Sequence, residues 1–226
     1  MSHESDSEPA PPLLCTTPRH WAELAAARLP VFLADHAVCE QQAALNALAL
    51  IGQYPADAEL VERLTALAIE ETHHLRRVAA LLHARGLAIG GKRANAWVQA
   101  LRTHIRAGGG PELRMDRLLV AALIEARSSE RFARLREVLT AMTARDARRD
   151  PADGTGVPEA AASDLARAVV ELLDDLAPAE ERHWQMFHAL AARDVAPARF
   201  AHRWREWLEI ERDLAATTGV APTVHG

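Results

Sequence analysis

Little in this sequence suits a β-rich, secreted or membrane-spanning protein. Its two cysteines, Cys15 and Cys39, are too few for a disulfide framework and have no zinc-type spacing, which fits a reducing compartment. Aromatic residues make up only 4% of the chain and β-branched residues are sparse, so the side chains that pack best on a pleated sheet are mostly missing. No stretch of any length alternates apolar and polar residues at the period of a strand. The longest apolar run, Ala43 to Ile51, is broken by Asn46 and is far too short to cross a bilayer, so no membrane association is expected. The acidic, Pro-rich stretch from Met1 to Pro12 has no apolar core of a secretory signal, and a cytoplasmic protein is the expectation. There is no flavin or nicotinamide fingerprint and no cysteine set for an iron–sulfur cluster. The formal net charge of −5 does not by itself suggest a nucleic-acid partner.

What is present is alanine and leucine in abundance, the composition of helices. With 226 residues and 49% apolar content the chain can build one domain with a sizeable core. Residues 1–12 read as a disordered tail, 13–216 as the single helical domain, and 217–226 as a loose C-terminal tail. Thr17-Pro18 reads as an N-cap and first helical proline, opening a short helix to about Arg28. Long helices are predicted from Pro30 to near Gly52, from about Asp57 to Arg85 with Gly86 as the C-cap, and from Pro111 to about Arg145. A shorter helix spans Lys92 to Ala107. The polar stretch around 146–160 reads as a flexible loop, and Ser163 or Asp164 caps a helix that continues to about Arg193 despite Pro178. A last helix covers about Pro197 to Ala215.

Two Glu-x-x-His pairs, Glu71/His74 and Glu180/His183, are joined by two further glutamates, Glu40 and Glu125. A three-residue step places both members of a pair on one helical face, where they can close on one metal ion. In chain order the pattern is Glu, Glu-x-x-His, Glu, Glu-x-x-His, the ligand set of a carboxylate-bridged di-iron or di-manganese centre in a four-helix bundle. Glu70-x-x-His73 has the same spacing, and periodicity decides against it. Glu71 and His74 fall within the apolar stripe Leu60, Leu64, Leu67, Leu75, Val78 and Leu82, whereas Glu70 and His73 share a face with Arg63 and Arg77 and should be solvated. Glu40, Glu125 and Glu180/His183 lie in phase with apolar residues of their own helices. A carboxylate on an apolar stripe is costly unless it is paired or bound to metal. Glu40, Glu71 and His74 would serve one metal, and Glu125, Glu180 and His183 the other, with Glu71 and Glu180 as bridges.

Several strings carry more than spacing: Asp35-His36-Ala37-Val38-Cys39-Glu40, Ala68-Ile69-Glu70-Glu71-Thr72-His73-His74, Ile124-Glu125-Ala126-Arg127-Ser128-Ser129-Glu130-Arg131-Phe132 and Glu180-Glu181-Arg182-His183. In this order they resemble the MiaE-type tRNA hydroxylases, from about Leu14 to the last helix. The resemblance implies a ferritin-like four-helix bundle with flanking helices, all-α, and a non-haem di-iron monooxygenase that hydroxylates the isopentenyl group of 2-methylthio-isopentenyl-adenosine beside the anticodon. It implies Glu40, Glu71, His74, Glu125, Glu180 and His183 as ligands of two iron ions, with dioxygen as co-substrate. Asp35, His36 and Arg127 are motif positions that could orient the ligands by hydrogen bonds, although Arg127 and Glu130 also fit an ordinary helix salt bridge. Ser129 departs from the cysteine expected there, and the stretch from about Met142 to Ala162 looks like an insertion.

Electrons would have to come from an external donor of the reductase or ferredoxin type, because the chain has no redox fingerprint of its own. A tRNA partner needs local positive charge. Between Arg76 and Arg117 the basic residues, including Lys92, Arg93, Arg102 and Arg106, face only Glu112 and Asp116 in the same stretch, so a basic surface is expected there. Trp97 could stack on a splayed base, though an aromatic on a short helix is more often core. Three other readings remain open: iron oxidation or peroxide reduction of the ferritin or rubrerythrin kind, a di-iron hydroxylase of a different small molecule, and a metal-free bundle used for protein contacts.

Overall fold

The computed structural model describes residues 12–91, 95–146, 157–217 and 219–225, with backbone only at 146 and 157–161. The described residues contain seven α-helices and no strand: α1 (Arg19–Ala27), α2 (Leu29–Gln53), α3 (Ala58–His83), α4 (Ala96–Thr103), α5 (Pro111–Asp146), α6 (Val157–Ala192) and α7 (Pro197–Thr217). Four of them, α2, α3, α5 and α6, form the bundle: α2 packs on α3, α5 packs on α6, and α3 against α6 joins the two pairs.

Two apolar clusters reveal how these helices run. One gathers Phe32 and Leu33 from the start of α2, Val78 and Leu82 from the end of α3, Leu139 from late in α5 and Val169 from early in α6. The other gathers Leu50, Leu64, Leu119 and Phe187 from the opposite halves of the same helices. Helices α2 and α6 therefore run one way, and α3 and α5 the other. Because α3 and α5 are parallel, the chain must cross the length of the bundle between them, and α4 lies in this crossover. One long crossover in a four-helix bundle is the ferritin-like topology. Helix α1 packs on α5 and α2, and α7 packs on α4, α5 and α6.

Local signals explain most helix ends. The Asp57 carboxylate accepts the Leu60 N–H at 3.1 Å and caps α3, a contact that stabilises a helix by about 1 kcal/mol. Gly86, at φ 67°, ends it, with the Leu87 N–H returning to the Leu82 carbonyl at 3.0 Å. Pro178 interrupts the hydrogen-bond ladder of α6 without ending the helix.

Four expectations from the sequence need correction. Thr17 does not cap α1: its N–H donates to Glu130 Oε1 at 2.8 Å and its hydroxyl to Glu130 Oε2, so a distant carboxylate outcompetes the helix end. Helix α4 is shorter than Lys92–Ala107. Asn95 caps it, and it ends at Thr103 because the Arg106 N–H and guanidinium turn toward Asp116. Helix α6 already begins at Val157, where Pro158 sits in the first turn and its missing N–H costs little; residues 147–156 of the expected loop lie outside the described residues. Within the tail after α7, residues 223–225 are packed rather than loose: Val224 is completely buried, and its N–H donates to Asp35 Oδ2 at 2.8 Å.

Candidate metal centre

Halfway along the bundle, between the two apolar clusters, each long helix presents acidic groups to the interior. Glu40 comes from α2, Glu71 and His74 from α3, Glu125 from α5, and Glu180 and His183 from α6, and none of the six is more than 6% exposed. Ligand atoms of Glu40, Glu71, His74 and Glu180 all lie within 4.8 Å of one another, as do those of Glu71, Glu125, Glu180 and His183. The two quartets share Glu71 and Glu180, one glutamate from each Glu-x-x-His pair. The His74 and His183 rings approach to 6.1 Å between centroids.

Without a cation this cluster is electrostatically frustrated. Burial and the neighbouring Glu40 charge push Glu71 up to about 8, burial raises Glu125, and burial together with Glu125 and Glu71 raises Glu180 well above the usual carboxylate range. Glu40 alone is held low: burial opposes its ionisation, but the close approach of Glu71 and His74 and the contact with and charge of His36 outweigh that penalty. The histidines compensate in the other direction. Burial works against their charge, yet His74 is pushed up to about 9 by Glu40 and Glu71, and His183 to about 10 by Glu70 and Glu71.

Buried polar atoms left without partners show what the arrangement fits. Both oxygens of Glu71 and the Nδ1 atoms of His74 and His183 are buried and make no hydrogen bond among the described residues. His183 Nδ1 lies 2.9 Å from Glu71 Oε1 but is not aligned for one. Orphaned atoms of this kind are rare in folded proteins and call for an explanation. Four carboxylates and two imidazoles, converging with free lone pairs, suit a pair of divalent first-row metal ions such as iron or manganese.

The flanking residues divide into those that touch this centre and those that do not. His36 Nε2 contacts Glu40 Oε1 one helical turn away, and the ring packs on Phe132 at 4.7 Å between centroids. Glu70, which the periodicity places with solvated residues, is only half-exposed: Oε2 lies 3.1 Å from His183 Nε2, and Oε1 lies 2.8 Å from Arg182 Nη2 and 4.0 Å from His74 Nε2. The hydrogen bond with His183, which outweighs partial burial, holds Glu70 at about 2. Its neighbour Arg182, adjacent to His183 in sequence, was the available hint. Asp35 accepts the Val224 N–H and so ties residues 219–225 to α2. Arg127 does not orient ligands. It forms a buried pair with Glu211 of α7 (2.7 and 2.9 Å), bonds Glu130 at 3.0 Å and reaches the Cys15 carbonyl at 3.2 Å, so it joins α5, α7 and the segment before α1. Ser129, at the position where cysteine was expected, bonds the Ala177 carbonyl of α6 at 3.2 Å.

A cavity of about 550 Å³ leads from the carboxylates toward α4, a volume in the range of small-ligand sites (roughly 300–1,000 Å³). Glu40, Glu71, Glu125 and Glu180 lie at its buried end, Val38, Ile124 and Phe132 along its wall, and the exposed Gln42, Gln99 and Arg102 at its mouth. Thr223 and His225 complete the wall. Nothing in the order of residues hints at this last contribution.

The expected basic surface is largely absorbed by internal pairing. Arg106 holds Asp116, Arg114 reaches Asp57 and Asp194, Arg77 pairs with Asp175 at 2.7 Å, and Arg117 contacts Gln53 and Tyr54. Those carboxylates arrive from outside the basic stretch or are buried within it, which counting along the chain cannot reveal. Lys92 and Arg93 lie outside the described residues. Arg102 remains exposed at the cavity mouth, with no ion pair among the described residues. Trp97 is buried, and one face is covered by His225, so it is not a platform for a base.

Fold and site together define a ferritin-like helical bundle with a carboxylate–histidine centre whose donors fit two metal ions. Its lineage is narrower. The family model described as tRNA-(MS[2]IO[6]A)-hydroxylase (MiaE) matches residues 8–145, more than half of the chain, and the chain belongs to this family. A Pseudomonas putida protein named tRNA 2-(methylsulfanyl)-N(6)-isopentenyladenosine(37) hydroxylase is 40% identical over 121 residues, which cover 54% of this chain and 58% of that relative. A Salmonella typhimurium protein of the same name is 27% identical over 255 aligned positions, covering 89% of this chain and 83% of that one. The solved structure of a Synechococcus protein with aldehyde deformylating oxygenase activity superimposes with a TM-score of 0.76 at 28% identity, covering 95% of both chains. The family match ends before α6, so the inclusion of Glu180 and His183 rests on their geometry.

Proposed function

We propose that this chain is a dioxygen-dependent di-iron monooxygenase that hydroxylates the isopentenyl group of 2-methylthio-isopentenyl-adenosine in tRNA. The observation that carries this reading is the pair of ligand quartets sharing Glu71 and Glu180 at the closed end of a ligand-sized cavity. Membership of the MiaE family supports the substrate. Glu40 and His74 would complete one iron site and Glu125 and His183 the other, with Glu71 and Glu180 between them. Iron bound there would supply the activation of dioxygen needed to attack an unactivated C–H bond.

The remaining work falls to the protein's own groups. His36 fixes the Glu40 carboxylate, and Glu70 fixes the His183 ring through Nε2, so that Nδ1 faces inward. Val38, Ile124 and Phe132 give the cavity an apolar wall that suits a branched alkyl group and excludes water beside the carboxylates. Arg102, exposed at the mouth, would meet a backbone phosphate while the target base is splayed out of its loop. Converting a C–H bond and dioxygen to an alcohol and water consumes two electrons and two protons. An external reductase or ferredoxin-type donor would provide the electrons.

The test is a single turnover of diferrous protein with dioxygen and tRNA bearing the modified adenosine, followed by mass analysis of the digested nucleosides. The expected result is one oxygen gained on that nucleoside, lost in Glu71→Ala. Iron oxidation without oxygen transfer to the nucleoside would move the function to iron handling or to another substrate.

A further inference from the structure

Residues 223–225 contribute no group to the ligand cluster, yet they are built firmly into the cavity wall. The Val224 N–H donates to Asp35 Oδ2 at 2.8 Å, the Trp21 indole donates to the Thr223 carbonyl at 3.1 Å, and Arg131 donates to the Val224 carbonyl. Helices α1, α2 and α5 thus hold one short segment by its backbone. The residue so positioned is His225, 3% exposed, with its ring stacked on Trp97 of α4 at 5.2 Å and 9° between planes. Its Nε2 lies 3.3 Å from Ser128 Oγ. Its Nδ1 is buried without a hydrogen-bond partner among the described residues, in a side chain that lines the cavity. A buried imidazole nitrogen left without a partner is costly, and the cost is recovered if a ligand supplies the partner. Burial and the nearby Arg131 and Arg127 charges keep the ring neutral, so Nδ1 can serve a neutral heteroatom.

We propose that His225 is a specificity-determining contact, its Nδ1 hydrogen-bonding the heteroatom edge of a purine base whose alkyl substituent extends along the apolar wall toward the carboxylates. This rests on the hydroxylase reading above. Amide side chains of Gln42 and Gln99 at the mouth offer further donors and acceptors to such an edge. Residues 223–225 would then be part of the substrate site.

The experiment compares wild type, His225→Phe, His225→Asn and His225→Ala by iron content, melting temperature, and kcat and KM on tRNA bearing the modified adenosine. Phenylalanine keeps a flat ring against Trp97 but has no nitrogen. The expected outcome for His225→Phe is normal iron content and melting, KM raised about tenfold and kcat within about twofold of wild type, as for one lost hydrogen bond. His225→Asn, with a polar atom near the place of Nδ1, should recover most of the loss. A wild-type KM in His225→Phe, or an Asn variant no better than Phe, would overturn the role and leave the segment as wall only. If His225→Phe melts early, Asn against Ala decides: a lower KM for Asn supports the contact, and equal values refute it. Wild-type protein that transfers no oxygen would remove the hydroxylase reading and this inference with it, whereas active wild type with an unaffected Phe variant removes only this inference.

Discussion

Glu70 sits one residue before a proposed ligand and touches the outward nitrogen of another, on a different helix. Removing such a partner from a metal-binding imidazole typically weakens metal affinity by about 10- to 100-fold. Glu70→Ala should show a loss of that order in chelator competition, with Glu70→Gln between it and wild type; unchanged affinity would mean that the contact does not orient His183. Arg127 makes the opposite kind of prediction. Arg127→Met leaves Glu211 buried and uncompensated, which costs about 3–5 kcal/mol and should lower the melting temperature by roughly 10 °C, with normal iron content in the chains that remain folded. At this scale the six clustered residues were readable because buried carboxylates sit on apolar stripes, where they look out of place. Glu70 was not, since on a polar face a working carboxylate and a solvated one look alike. Of Arg127 only the pair with Glu130 was readable, because its main partner, Glu211, lies two helices further along the chain.

At the scale of elements, α4 and the turn after it separate two arginines that look equivalent in sequence. Arg102 is exposed and makes no ion pair among the described residues, whereas Arg106 serves the buried Asp116, whose carboxyl stays well below its usual range because hydrogen bonds from Arg203 and Arg106 outweigh burial. Arg102→Glu should weaken tRNA binding, lower the salt dependence of log K by about one phosphate contact, and leave the fold intact. Arg106→Glu should instead destabilise the protein, seen as earlier thermal melting, because it brings a second carboxylate against Asp116. Equal effects of the two substitutions on tRNA binding, with equal melting, would contradict this division. The helices themselves were legible from periodicity, caps and glycines. Their charges were not, because neutralising partners such as Asp57, Asp175 and Asp194 come from other elements.

For the whole molecule, the protonation of the cluster sets a pH dependence with a definite sign. In the metal-free protein His74 and His183 keep their protons to about 9 and about 10, above their ordinary 6.5, and Glu71 to about 8, above 4.5. The folded chain therefore binds more protons than the unfolded one across this window, and its stability falls as pH rises. The histidine contribution is complete below about pH 6.5 and gone above about 10, while the lowered Glu40 acts only below 4.5. Metal ions replace these protons, so the melting-temperature gap between iron-loaded and metal-free protein should widen from about pH 6 to about pH 9. A constant gap would show that the ions and the protons do not compete.

The crossover between α3 and α5 has a consequence of its own. The helices that carry the acidic cluster, α2, α3, α5 and α6, are locked to one another by the core. The outer wall of the cavity comes partly from α4, Thr223 and His225, which contribute nothing to that cluster. Under the proposed function, part of the choice of target would therefore reside in stretches of chain that carry no ligand. A lineage could redraw those stretches while inheriting the acidic cluster unchanged, and an engineer seeking a new target has a small region to randomise first.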